Sequence, residues 1–194
     1  MPVDQGRVDP IPPWRPLLRG ARQREGRAAG SGWLQLASVA HDGTPRVRTL
    51  VFRGWSPSGD LELLTDARSE KPSELMHQPQ VELCWLFRKA REQFRLRGAA
   101  ALITPEQDPT GLADHWQKLS PPGRSVWAWP NPGELLSEAG PWPRDVVDGE
   151  AVPPHLLLLR IHLSQVEQLD LKPHPHCRRR WQRHDHWCEQ RLNP

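Results

Sequence analysis

No stretch of this 194-residue sequence approaches the roughly 18 successive apolar residues that a membrane span needs. Its opening segment, Met1 to Pro13, carries no apolar core of the kind a secretory signal has. Cysteine is scarce. Three of them, an odd number, do not form a disulfide framework, and the expected setting is a reducing cytoplasm. Charge of one sign is scarce too. Lys and Arg number 26 against 23 Asp and Glu, leaving a net +3 that favours a phosphate-bearing ligand but is too mild to imply nucleic-acid binding by itself. Hydrophobic residues reach only 37%, and there is no tyrosine.

What is abundant is proline, at 22, and tryptophan, at 10, beside 14 glycines. Proline and glycine at this level imply many turns and few long helices. The tryptophans and several Val/Leu-rich runs need somewhere to be buried, which argues against wholesale disorder. A chain of this length can bury a core without staples and fits a single domain, residues 1–194.

Met1 to Pro13 reads as an extended arm. Trp14, Leu17, Leu18 and Ala21 recur at helical spacing and predict a short amphipathic helix, ended by Gly30-Ser31-Gly32. From Trp33 the period becomes two. Trp33 to Ala40 is a strand, Asp42-Gly43 a tight turn, and Arg46 to Trp55 the returning strand. Leu61 to Thr65 completes an antiparallel meander. Ser69 stands where an N-cap belongs, before a helix running to about His77 with Pro72 in its first turn. Val81 to Phe87 and Gln93 to Ile103 are expected to form a hairpin. Asp108 to Leu119 reads as a helix broken by Pro121-Pro122, and Trp127 to Pro154 as a long ordered loop or flap. His155 to Leu163 with Val166 to Leu171 predict a further strand pair, and Cys177 to Gln182 with His186 to Leu192 a last hairpin. Seven or eight strands and two or three helices make a mainly β protein, an antiparallel β-barrel with short flanking helices.

Four runs occur in a fixed order: Arg46-Val-Arg48-Thr-Leu-Val-Phe-Arg53, Leu64-Thr65-Asp66-Ala-Arg-Ser69-Glu70-Lys71, Cys84-Trp85-Leu-Phe87, and Arg91-Glu92-Gln93-Phe94-Arg95-Leu96-Arg97-Gly98. In this order they resemble the pyridoxamine 5'-phosphate oxidase-related family of FMN-binding split barrels, and in particular its short sub-family in cyanobacteria and other bacteria. Trp129-Pro130-Asn131-Pro132-Gly133 and Pro175-His176-Cys177-Arg178 belong to the same resemblance, which covers roughly Trp14 to Pro194. Each motif alone is weak. The ordered set is strong.

The resemblance implies a six-stranded split barrel and a homodimer with FMN at the subunit interface, acting on a small-molecule substrate. By position, Arg48, Thr49, Leu50, Val51 and Arg53 would lie along the flavin, with Arg48 near its phosphate. Leu64 and Thr65 would offer backbone and hydroxyl contacts, and Lys71, in the turn opened by Ser69, would reach the phosphate. Gln93 would bond the ribityl chain or ring, and Arg178 would approach from the C-terminal segment. Arg53 and His176 are the candidate substrate contacts. Three departures stand out. Glu70 occupies a position that is often arginine, the phosphate-binding tyrosine of the true oxidases has no counterpart, and their Arg-x-His signature appears as His174-Pro175-His176. The FMN site is therefore better supported than the vitamin site.

The residues can be weighed without the family. A dianionic phosphate needs two or three cations plus backbone N–H donors, and a lysine in the first turn of a helix supplies both. A solvated basic strand is the competing reading. Arg48 and Arg53 are an odd number apart, so in a regular strand they face opposite sides; a bulge would change that. Gln93 offers a donor and an acceptor to a ring edge, or is a surface amide. Trp127 or Trp129 could serve as a flap near the flavin, although core or dimer packing is the commoner use of tryptophan. The tail with His174, His176, Cys177, His184, His186 and Cys188 has ligand types suited to zinc, yet its spacings match no standard finger. Arg178-Arg179-Arg180 beside Trp181 could contact nucleic acid, though such short runs are usually solvated. The leading expectation is an FMN-dependent oxidoreductase with no assigned catalytic residue; the alternatives are a non-catalytic flavin binder or redox sensor, or a barrel holding another cofactor such as haem.

Overall fold

A computed structural model describes residues 11–26, 30–136, 138, 140–146 and 149–194, so the expected arm lies almost wholly outside the described residues. Period-two alternation becomes strand throughout. β1 (Trp33–Val39), β2 (Pro45–Trp55), β3 (Leu61–Asp66), β4 (Gln80–Phe87), β5 (Glu92–Ile103) and β6 (Leu156–Asp170) are antiparallel neighbours in the order β3-β2-β1-β4-β5-β6. β6 then pairs back onto β3 and closes a six-stranded barrel. Leu34 and Leu36 of β1, Leu83 and Trp85 of β4, and Phe94 and Leu96 of β5 point inward and are fully buried. Each such side chain contributes on the order of 1.5–3 kcal/mol of transfer free energy.

β3 and the start of β6 break the alternation because both their faces are covered. Leu61, Leu63, Leu159 and Ile161 fill the barrel. Leu64, Leu156 and Leu158 face outward under α3 (Pro109–Gln117), where Leu112 and Trp116 meet Leu119 and Trp127. The continuous leucine run Leu156-Leu157-Leu158-Leu159 is the signature of that double burial.

The expected pair His155–Leu163 and Val166–Leu171 is instead one strand. β6 bonds along its whole length to β5, its first half to β3, and its second half to β7 (Cys177–Gln182). Ser164, which reads like a turn, is the extra residue of a bulge: Gly98 pairs with Leu163 but Arg97 with Gln165. Gly98 is required there, since a Cβ would stand 2.3 Å from the His162 carbonyl oxygen. The last hairpin is also shorter than expected. A 3₁₀ turn at Arg183–Asp185 and left-handed His186 and Trp187 (φ 46° and 59°) precede β8, which is only Gln190–Leu192.

Helices close the rest. α1 (Trp14–Glu25) lays Trp14, Leu18 and Ala21 on the core. Its buried Glu25 accepts from the amides of Lys89 (2.8 Å) and Ala90 (3.4 Å), fixing the β4–β5 turn. α2 (Glu70–His77) packs against β1, β3 and β5. Pro121-Pro122 ends the expected helix and also opens another: α4 (Pro121–Ser125) has both prolines in its first turn, where no N–H is needed, and the Ser120 hydroxyl accepts from Gly123 N at 3.2 Å. The described residues form four α-helices, more than the two or three expected. The flap begins as a 3₁₀ turn, Val126–Ala128, and carries Trp129 edge-on to Trp142 with centroids 5.7 Å apart.

Candidate functional site

The predicted residues separate into two groups. The first gathers where β2, β3 and α2 converge. Lys71 Nζ donates to Thr65 Oγ1 at 2.8 Å and lies 3.5 Å from Ser69 Oγ. Among the described residues no carboxylate comes within ion-pair distance of it. Burial first, and the charge of Arg48 second, lower its pKa, while Asp66 and Glu74 partly restore it. Two cations near one another, with only hydroxyls bonded at Lys71 Nζ, are a chemistry suited to an anion. The helix end adds to it. Ser69 occupies the N-cap position, yet its hydroxyl donates to the Asp66 carbonyl (2.8 Å) and gives the first-turn amides of α2 no acceptor.

Arg48 is held from below. One of its terminal nitrogens donates to Ser38 Oγ and the other to Glu74 Oε2, which also accepts from Ser38 Oγ at 2.7 Å. Glu74 is 3% exposed. Burial alone would raise its pKa, but the bonds from Ser38 and Arg48 and the Arg48 charge outweigh it and hold the carboxyl below its usual range. Ser38 and Glu74 were not among the residues expected from the sequence. The available signal was spacing: Glu74 stands three positions after Lys71, on the same helix face.

A bulge does occur at Arg53. Phe52 pairs with Leu63 and Gly54 with Glu62, leaving Arg53 as the extra residue. Its visible effect is to let both Phe52 and Trp55 reach the core, where their rings lie 5.4 Å apart. Arg53 itself is exposed yet crowded enough that partial burial lowers its pKa. Leu50 points inward, while Thr49 and Val51 alternate to the outer face. Leu64 spends its side chain beneath α3, so only its backbone remains for a ligand.

The second group lies on the outer face, with two strands between it and β2. Gln93 alternates with buried Phe94, and its amide nitrogen lies 3.2 Å from Cys84 Sγ. Gln93 and Arg178 line a cleft with Arg95, Glu167, Leu169 and Pro194. Arg178 donates twice to Glu167 Oε2 (3.1 and 2.8 Å), an acid it shares with Arg95. His176 borders the adjoining cleft with Lys172, Arg179 and Arg191, its Nδ1 3.2 Å from the Pro173 carbonyl. Glu92, 1% exposed, anchors the approach to this loop by receiving Lys172 (2.6 Å), Arg24 (2.5 Å) and Gln168 (2.9 Å).

Two other readings meet the structure here. Trp181 is fully buried, so it offers no stacking surface beside Arg178–Arg180. Among the described residues no three His, Cys, Asp or Glu side chains gather into a metal-holding group, and no helix is long and apolar enough to cross a membrane. The flap is tied to the turn that precedes α2. Arg68 pairs with Asp66 (2.7 Å) and donates to the carbonyls of Trp127 (3.3 Å) and Trp129 (2.9 Å).

A closed six-stranded antiparallel barrel with short flanking helices defines a split barrel. Comparison with known proteins gives the same answer from sequence. Residues 11–104 match the family described as pyridoxamine 5'-phosphate oxidase, FMN-binding domain. Pyridoxine/pyridoxamine 5'-phosphate oxidase 2 of Arabidopsis thaliana is 33% identical over 168 residues, covering 84% of this chain and 85% of that protein. The Sinorhizobium fredii oxidase is 32% identical over 94 residues, 48% of this chain and 43% of that enzyme. A pyridoxamine 5'-phosphate oxidase-related, FMN-binding protein of Nostoc punctiforme superposes with a TM-score of 0.86 at 33% identity, over 95% of this chain and 99% of that one. PhzG of Burkholderia lata, at 19% identity and a TM-score of 0.75, shares the fold. The chain belongs to the pyridoxamine 5'-phosphate oxidase family.

Proposed function

We propose that this protein binds FMN and works as a flavin-dependent oxidoreductase on a small molecule. The observation that carries the reading is Lys71 beside Arg48, bonded only to hydroxyls at the uncapped start of α2. This arrangement fits a dianionic phosphate: two charged donors, two hydroxyls and helix amides converge. Bound FMN would supply hydride and electron chemistry that no side chain of this chain provides. The chain's own part is to hold and orient. Lys71, Arg48, Thr65 and Ser69 would take the phosphate; Gln93 and Arg178 would meet the ring or ribityl end; Arg53 and His176 remain for the substrate.

Gln93 and Arg178 open to the outer face of β5 and β7, and on this reading a second copy would bring them to the mononucleotide held by Arg48 and Lys71. The outer face of β1, β2 and β4 presents Trp33, Val47 and Leu86 to solvent, an apolar surface suited to such pairing. A non-catalytic flavin binder is the second reading, favoured by His174 in the oxidases' arginine position and by the missing tyrosine. Purification in the presence of FMN tests both. Yellow protein that is bleached by dithionite, re-oxidised by air and turned over by pyridoxamine phosphate or another amine supports the oxidoreductase. Yellow protein inert to every donor supports the binder, and failure to take up FMN overturns both.

A further inference from the structure

We infer that Glu74 is a positioning residue that presets Arg48 for a phosphate group, so that Glu74, Ser38 and Arg48 act as one three-membered device beneath the anion seat. The inference rests on the FMN reading and deepens it. An arginine on a strand has many rotamers, and holding it in one costs side-chain entropy. Here that ordering is done before any ligand arrives. Two of the guanidinium's terminal nitrogens are already committed downward, one to Ser38 and one to Glu74, and Ser38 braces the same carboxylate oxygen. Five N–H donors sit on a guanidinium in a planar fork, so fixing one edge aims the remainder. The aim is toward the seat, since Glu74, to which Arg48 is bonded, stands three positions after Lys71 on the same face of α2.

Glu74 is also an anion in an anion site, and geometry decides between its two possible effects. Its side chain is 4% exposed, whereas that of Arg48 is 23% exposed. The acid therefore lies behind the arginine, and the arginine faces outward. A carboxylate in that place orients its partner more than it repels a ligand on the far side. Glu70, by contrast, is exposed on the first turn and has no such partner among the described residues.

The test compares wild type with Glu74→Gln, Glu74→Ala and Ser38→Ala, each titrated with FMN and with riboflavin by flavin fluorescence quenching. Riboflavin lacks the phosphate, so the ratio of the two dissociation constants isolates the seat. A merely structural role would weaken both ligands together and leave the ratio unmoved; thermal melting of the apo-proteins reports folding separately. The expected result is that Glu74→Ala lowers the FMN-to-riboflavin preference about tenfold. Glu74→Gln, which retains an acceptor for Arg48, should recover part of that loss, and Ser38→Ala, which unpairs no charge, should lose two- to fivefold. An unchanged ratio in all three variants would overturn the inference. A ratio that rises in Glu74→Ala would do so too, since it would make Glu74 a competitor of the phosphate. Wild type that shows no preference for FMN would instead sink the reading of the seat itself.

Discussion

Arg48, Thr65, Ser69 and Lys71 come from one continuous β2–β3–α2 segment, and their positions follow from short-range bonds such as Lys71 to Thr65 and Ser69 to Asp66. Gln93 and Arg178 meet only because Leu169 of β6 stands between them in register, a contact spanning β5 to β7. In the first region Lys71 is bonded to hydroxyls and, among the described residues, to no carboxylate. The second is open, and its arginine is already neutralised by Glu167. On the proposed reading the seat is a preorganised anion site, and the cleft is half of a site that a partner surface would complete.

Four changes would break or sharpen that contrast. The largest effect belongs to Lys71→Met, which removes a charge-assisted partner of the phosphate worth roughly 1.5–3 kcal/mol, or about 10- to 150-fold in FMN affinity. Riboflavin affinity should move less than twofold; equal losses for both ligands would dissolve the distinction between seat and cleft. Next, Gly98→Ala forces a Cβ against the His162 carbonyl at the β5–β6 bulge. Denaturant unfolding should show a loss of roughly 1–3 kcal/mol, as for other overpacked positions. An unaltered midpoint would mean that the bulge does not hold the two regions in register.

Gln93→Ala should weaken FMN and riboflavin alike, by about two- to tenfold, the range of a single uncharged hydrogen bond. If the cleft completes a neighbour's seat, a mixture of Lys71→Met and Gln93→Ala chains holds FMN more tightly than either variant alone, as measured by bound-flavin absorbance after gel filtration. No recovery on mixing would place both groups in one chain's site. The smallest effect concerns pH. The lowered pKa of Lys71 means that its proton is lost at a lower pH than from an ordinary lysine, so FMN preference over riboflavin should decline early in the alkaline range. Apo-protein stability should change with the opposite sign there. The unfolded lysine keeps its proton longer than the folded one, and folding is therefore favoured as pH rises through that window. A flat FMN-to-riboflavin ratio across it would show that Lys71 does not hold the phosphate.

The parts of the fold legible in the sequence are those decided locally. Asp42-Gly43 turns because glycine accepts φ 80°, and the meander from Trp33 to Asp66 follows from alternation. β6 was hidden because a strand buried on both faces at one end and bulged at Ser164 carries no single period. The seat's cations were legible because their residue types suit phosphate. Their supports were not: a glutamate on a short helix reads as solvated until the fold places Arg48 and Ser38 against it. The same holds for Arg68, whose bonds to Trp127 and Trp129 depend on where the flap returns.

The convergence of β2 and α2 on a phosphate is tested most directly by a crystal structure of the protein soaked with FMN. The account predicts the phosphate at the start of α2, within hydrogen-bond distance of Lys71 Nζ and the Arg48 guanidinium. A phosphate lodged instead among Arg178, Arg179 and Arg191, with Lys71 still bonded only to Thr65 and Ser69, would contradict it.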